Sequence, residues 1–323
     1  MAEYNEIHGS NIEIVSSDPS NPVEGQVWYN TTDSKLRGNK LTTAGAWASG
    51  GNLNTNRDQT AGGGIQTSAV CFGGGPPVIA NNESYNGSAW TEVGDLNTAR
   101  RLLAGSGSSN TNALCFGGTT GSTTGVTESW DGSSWTETGD LNTARNFMKG
   151  TGPNTAALTV GGATGNDGSP PYPANAETFN GTSWTEVADF NTGRRGSAGG
   201  GTTTSALFAG GNSGSNVGIA ESYNGTAWSE VADLNTTRSR ADGGGSSNTS
   251  VIVFGGDSGS ASANTETWNG TAWTEQADLS LARELLAGTG TTSLALAFGA
   301  GSPGNATEEY SNPTLVTRTI DTD

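Results

Sequence analysis

A unit of about 45 residues recurs along most of this 323-residue chain, and that period narrows the folds open to it. Trp followed by Thr or Ser and then Glu occurs at Trp90, Trp135, Trp184, Trp228 and Trp273, with a weaker copy at Trp47, where Ser49 replaces the Glu. Successive Trp residues lie 43, 45, 49, 44 and 45 positions apart. Ten positions after each stands an Arg: Arg57, Arg100, Arg145, Arg194, Arg238 and Arg283. An Asp-Leu-Asn-Thr type stretch lies between, as in Asp95-Leu96-Asn97-Thr98. A Gly pair follows each Arg by 16 or 17 positions, at Gly73-Gly74, Gly117-Gly118, Gly161-Gly162, Gly210-Gly211 and Gly255-Gly256; the sixth copy reads Gly299-Ala300-Gly301. Glu-x-aromatic comes next, at Glu83/Tyr85, Glu128/Trp130, Glu177/Phe179, Glu221/Tyr223, Glu266/Trp268 and Glu308/Tyr310. Four markers in register across six copies are not a chance pattern.

Each unit reads as four short strands. The first follows the Arg and is small and Gly-rich. The second is apolar and ends at the Gly pair. The third carries Glu-x-aromatic and the fourth carries the Trp. Asn-Gly or Asp-Gly joins the last two, as in Asn86-Gly87 and Asp131-Gly132. Those dipeptides suit the two positive-φ positions of a type I′ turn, so strands three and four form a hairpin. Four strands every ~45 residues match a blade of a β-propeller. The last unit lacks its Trp strand, whereas Trp47 has no complete unit before it. The fourth strand of the last blade is therefore expected from residues 46–49, closing a ring of six blades and removing a free sheet edge. This all-β reading overrides composition, since 51 Gly, 32% hydrophobic residues and a net charge of −17 would alone suggest disorder.

The expected organisation is an N-terminal attachment or oligomerisation segment over 1–43, the propeller over 44–311, and a C-terminal strand or tail over 312–323. Residues 25–37 read as a small β-hairpin and 314–320 as a terminal strand. Between the Gly pair and the next Glu, the third unit is longest, and its insertion spans 163–174.

The unit resembles the kelch repeat, whose Gly pair, strand-three aromatic, strand-four Trp and following Arg match Gly117-Gly118, Trp130, Trp135 and Arg145. The resemblance covers about 44–311 and departs at Ala300 and Ser49. The near-identical, Asn/Thr/Gly-rich copies are also similar to units in virion structural proteins of environmental, especially marine, bacteriophages. The segment 22–33 resembles a motif of phage tail-fibre and appendage proteins. These resemblances imply a phage appendage; fold alone implies no activity.

The residues exclude several chemistries. No apolar run approaches ~18 residues, so no membrane insertion is expected. The first ten residues lack a basic start and an apolar stretch, so no secretory leader is expected. The acidic balance argues against nucleic acid. Two Cys and one His do not make a Cys/His zinc site, and no metal or other cofactor is expected. Copper radical oxidases of the kelch family need two His ligands, and this chain has only His8. Cys71 and Cys115 read as small buried apolar residues. Carboxylates recur once per blade, which marks them as architectural, and no asymmetric acid–base set is legible; the chain reads as no enzyme. Equal numbers of Arg and strand-three Glu suggest one Arg–Glu pair, or one Arg–carbonyl set, per blade, with an anion site in the channel as the alternative, and the Trp series suggests inter-blade packing. Asp at five of the six Asp-Leu positions reads as a backbone acceptor, with Ca²⁺ binding as the alternative.

The candidate binding residues are Asp167 and Tyr172 in the long loop, stiffened by Pro170, Pro171 and Pro173, together with Trp28, which lies outside the repeat and either anchors the N-terminal hairpin or meets a neighbouring subunit. The expected function is a virion structural protein, a tail fibre, appendage or decoration. Residues 1–43 would join it to other virion proteins and sister subunits, and the propeller would meet a host surface glycan or protein. The alternatives are a bacterial extracellular adhesion or surface-array protein and a glycan-active enzyme.

Overall fold

The computed structural model of the chain describes residues 12–20, 23, 25–41, 45–312 and 315–320. It divides into two units, Ala46–Ser311 and a smaller one that takes its residues from both ends of the chain.

The larger unit is a ring of six four-stranded antiparallel sheets among the described residues. Blade 1 runs through Ala61–Ile65, Ser68–Phe72, Asn82–Tyr85 and Trp90–Val93. Blades 2 to 5 repeat it over 104–137, 149–187, 198–231 and 242–275. Blade 6 is built from Ala287–Gly290, Leu294–Phe298, Thr307–Ser311 and, from the other end of the propeller sequence, Ala46–Ser49. That closing strand pairs Trp47 with Tyr310 and Ser49 with Glu308, so Trp47 takes the register of every other strand-four Trp.

The buried apolar residues form six clusters among the described residues, each between two neighbouring blades rather than in one central core. The strand-four Trp is the main filler. Trp184 of blade 3 packs on Phe116 of blade 2, with ring centroids 4.8 Å apart, and donates its indole N–H to Thr127 at 3.0 Å. Trp90 of blade 1 does the same to Phe298 and Thr307 of blade 6, which knits the ring shut. Cys71 and Cys115 lie in these clusters as free thiols. Burial raises both, Cys115 to about 12.

The inner strands are Gly-rich because neighbouring blades touch there. A Cβ on Gly105 would sit 2.5 Å from the carbonyl oxygen of Gly62 in the blade before it. Any side chain at that position would push two blades apart.

The linkers between blades are held by a repeated polar network. Arg145 donates to the carbonyls of Gly161 and Asn175 and to Glu177 Oε1, each at 2.7 Å. The other carboxylate oxygen of Glu177 accepts from the backbone and side-chain amides of Asn142, at 2.8 and 2.9 Å. Arg57–Glu83, Arg100–Glu128, Arg194–Glu221, Arg238–Glu266 and Arg283–Glu308 repeat the ion pair, with both side chains essentially out of solvent. The Leu of the motif is buried at Leu53, Leu96, Leu141, Leu234 and Leu279, with Phe190 in its place once. Its Asp caps the start of the third strand, as where Asp140 accepts the N–H of Thr127 at 3.0 Å. The recurrent Arg, strand-three Glu, Leu and Asp are thereby accounted for by architecture.

In the smaller unit Glu13–Val15 runs parallel to Val27–Asn30, which pairs antiparallel with Lys35–Leu41, and that strand pairs antiparallel with Leu315–Thr319. The expected hairpin and terminal strand thus share one sheet. Residues 42–44, at the expected boundary of the propeller, fall outside the described residues.

Candidate functional site

Strand alternation gives the propeller two chemically different faces. The strand-one–two turns and the Asn-Gly hairpins share one face, and Asp131 is the one charged residue in those turns among the described residues. The inter-blade linkers, Gly pairs and strand-two–three loops share the other, called the linker face below.

On the linker face the channel mouth is framed by backbone. Two residues after each structural Arg come Gln59, Leu102, Phe147, Gly196, Arg240 and Leu285. Five of the six are non-glycine residues in the left-handed region, with φ between 52 and 63°. Each donates its N–H to the carbonyl of its counterpart in the preceding blade, at 2.8 to 3.0 Å, and the chain of bonds closes on itself from Gln59 to Leu285. Left-handed geometry costs a non-glycine residue about 1–2 kcal/mol; here it turns each N–H and carbonyl along the circle. The side chains carried by this frame differ in most blades, whereas the Trp, Arg and strand-three Glu keep one residue type in all six.

A second set of asymmetric positions lies two residues further on, at the start of each inner strand. Four are Ala (Ala61, Ala104, Ala198, Ala287), and the other two are Lys149 and Asp242. These form an ion pair across the mouth, from blade 3 to blade 5. Asp242 also accepts the N–H of Gly243 and Gly288, at 2.6 and 3.0 Å. Burial raises its carboxyl, and Lys149 opposes that shift. This asymmetric ion pair was not singled out from the sequence. Reading for what recurs discards the positions that differ; aligning the residue four after each Arg exposes both.

The pair sits where the mouth, about 60 Å³ and lined by Leu102, Phe147, Lys149, Arg240 and Asp242 among others, meets a Gly-lined lumen of about 230 Å³. Around the mouth stand Asp58, whose carboxyl burial raises against the pull of Arg101, and the Arg240–Glu284 ion pair at 2.8 Å.

The long loop reaches the same rim. Its one helical turn, Asn166–Gly168, holds Asp167 at φ 53°, and Asp167 pairs with Arg101 at 2.9 Å. Tyr172 and Phe147 flank the guanidinium of Arg195, with ring centroids 5.3 and 5.1 Å from its carbon. The structure therefore brings the two loop candidates together with Phe147, Arg195 and Arg101, which sequence reading did not single out. Trp28 is elsewhere, in the smaller unit. It is fully buried, its indole N–H bonded to Asp18 at 3.0 Å, beside Asn30 at 2.8 Å. These donors and Arg37 hold the Asp18 carboxyl below its usual range. Of the two roles expected for Trp28, anchoring the hairpin fits; a surface contact does not, because none of the side chain is exposed. The Arg, Glu and Trp ring residues are occupied structurally, as described above.

These features define a kelch-like six-bladed β-propeller carrying one chemically asymmetric channel mouth. The fold matches 394 chains of solved structures, among them YjhT. Its fold superposes with a TM-score of 0.66 over 82% of this chain and 99% of that one, at 13% identity, a likeness of fold alone. No protein-family model and no curated protein sequence matches the chain.

Proposed function

We propose that this protein is a non-enzymatic structural and binding module of a phage virion, presenting the linker face of its propeller to a host surface glycan or protein. The observation that carries this reading is the distribution of variation. Ring, linker and hairpin residues recur because architecture needs them, while the frame positions Gln59, Leu102, Phe147, Arg240 and Leu285, the departures from Ala at Lys149 and Asp242, and the 163–174 loop do not keep one residue type and gather at one rim. Binding surfaces are commonly built so, as variable side chains on a rigid frame. The phage assignment rests on the resemblance of the repeats and of the 22–33 segment. Residues 1–43 would supply attachment to other virion proteins and sister subunits.

The reading predicts that antibody against the chain labels an appendage on purified particles. It also predicts that the full chain binds host-type cells or glycans on an array. Replacing the 163–174 loop with the shorter counterpart of blade 4 should weaken that binding. Absence from particles removes the virion assignment, and a full chain that binds no cell or glycan removes the binding role.

A further inference from the structure

We propose that Arg195, held between Phe147 and Tyr172, anchors a site for a phosphate group carried on a surface polymer; this rests on the reading of the linker face as the binding surface. The first support is a census of cations. The chain has 14 Lys and Arg, of which Lys35, Arg37, Lys40 and Arg318 belong to the smaller unit. Six more are the buried Arg residues of the ion-pair ring. The four that remain, Arg101, Lys149, Arg195 and Arg240, all lie on or beside the linker-face mouth. An otherwise acidic propeller has gathered its cations outside the ion-pair ring at one rim.

Three of the four are already matched by carboxylates, from Asp167, Asp242 and Glu284. Arg195 is the exception: among the described residues no carboxylate pairs with it, and its buried Nε, like that of Arg101, has no acceptor. It is held in place all the same. The two aromatic rings restrain its planar group through cation–π contact. Gly168, at φ 79°, provides the room, since a Cβ there would collide with Arg195 Nη1 and sit 2.8 Å from Phe147 Cδ2. A guanidinium ordered by neighbours but lacking a counter-charge suits an incoming anion, because little rotamer entropy is lost on binding.

The class of anion follows from Arg101. Arg101 and Arg195 both reach the Asn166–Gly168 turn, and the exposed carboxylate of Asp167 engages Arg101 through Nη2 alone. The turn thus already seats an oxyanion on one of two neighbouring guanidinium groups. A phosphate monoester carries up to two negative charges and three terminal oxygens, enough to pair with both guanidinium groups, whereas a carboxylate brings a single charge, as Asp167 already does to Arg101. An incoming phosphate would displace Asp167 from Arg101 and bridge the two.

The test measures binding of the full-length chain to glucose 1-phosphate, glucose, glucuronate and poly(glycerol phosphate) by titration calorimetry. The first and last separate a phosphate monoester from a phosphodiester polymer. At least one phosphorylated probe should bind roughly tenfold or more tightly than glucose and glucuronate. Arg195→Gln should lose roughly tenfold, Arg195→Lys less, and Asp167→Asn should bind more tightly because the competing carboxylate is gone. Glu92→Gln on the outer strand of blade 1 should match the wild type, and melting curves verify that each variant folds. Equal binding of glucuronate, an unchanged Arg195→Gln or a weakened Asp167→Asn would overturn the proposal. If phosphate fails while host cells are still bound, this inference falls and the binding module stands; if nothing binds, both fall.

Discussion

At Lys149 and Asp242 the chain departs from Ala, the residue at the other four inner-strand starts, and the cost of each departure depends on the other. Lys149→Ala should destabilise the protein by about 3 kcal/mol, because Asp242 stays buried without its counter-ion. Lys149→Ala/Asp242→Ala should recover most of that loss, and denaturant melts of both variants measure the difference. The pH dependence has a definite sign. A carboxyl raised above its ordinary 3.8 in the folded state makes stability fall as pH rises through the folded value. The fall should steepen in Lys149→Ala and vanish in the double variant. Asp131 behaves oppositely. Backbone N–H of Ser134, with Ser133, lowers it to about 2, so its contribution is present above 3.8 and lost as pH falls toward 2. The equivalent turn residues are Asn86, Asn180, Asn224 and Asn269, which accept the same N–H groups without titrating. Asp131→Asn should therefore leave the melting temperature at pH 7 unchanged and remove the acid loss contributed by this turn.

At the scale of the element, each linker is a short irregular segment that would be loose without the Arg–Glu network. Arg145 satisfies two strand-end carbonyls and one carboxylate at once, which fixes the entry into blade 3. Desolvation lowers its pKa while Glu177 opposes the shift, as expected of a buried charge with its partner in place. Arg145→Met should cost about 3–5 kcal/mol in chemical denaturation, since Glu177 would be left buried and charged. The markers of these elements were legible because they recur: the Gly pair, Glu-x-aromatic and Trp each keep one structural job in every blade. The left-handed residues of the mouth were not. Gln59, Leu102, Phe147, Arg240 and Leu285 share a backbone shape but no side chain, and only the hydrogen-bonded circle identifies them as equivalent.

At the scale of the propeller, closure is the decisive step. Ala46–Ser49 completes blade 6, and Trp47 packs on Phe254 of blade 5 at 5.0 Å. Removing residues 1–49 would leave blade 6 with three strands and an open edge, the condition that invites aggregation. Such a truncation should melt well below the full chain and sediment as larger species, whereas Ser49→Glu, which restores the repeat pattern, should keep the ring intact. Because the apolar residues lie in six inter-blade clusters, the loss should begin beside blade 6.

The blade count, the strand order and the origin of the closing strand were set by the amino-acid sequence itself, because local periodicity encodes strands and turns whatever surrounds them. Trp47, Arg57 and Asn86-Gly87 are recognised by their register with the other copies. Convergence is a different kind of property. Lys149 and Asp242 lie 93 positions apart, and Asp167, Arg101 and Arg195 come from three separate segments. They meet only because six blades close around one axis and bring every linker to the same rim. The repeat determined the scaffold; ring closure decided which non-repeating residues meet at the rim.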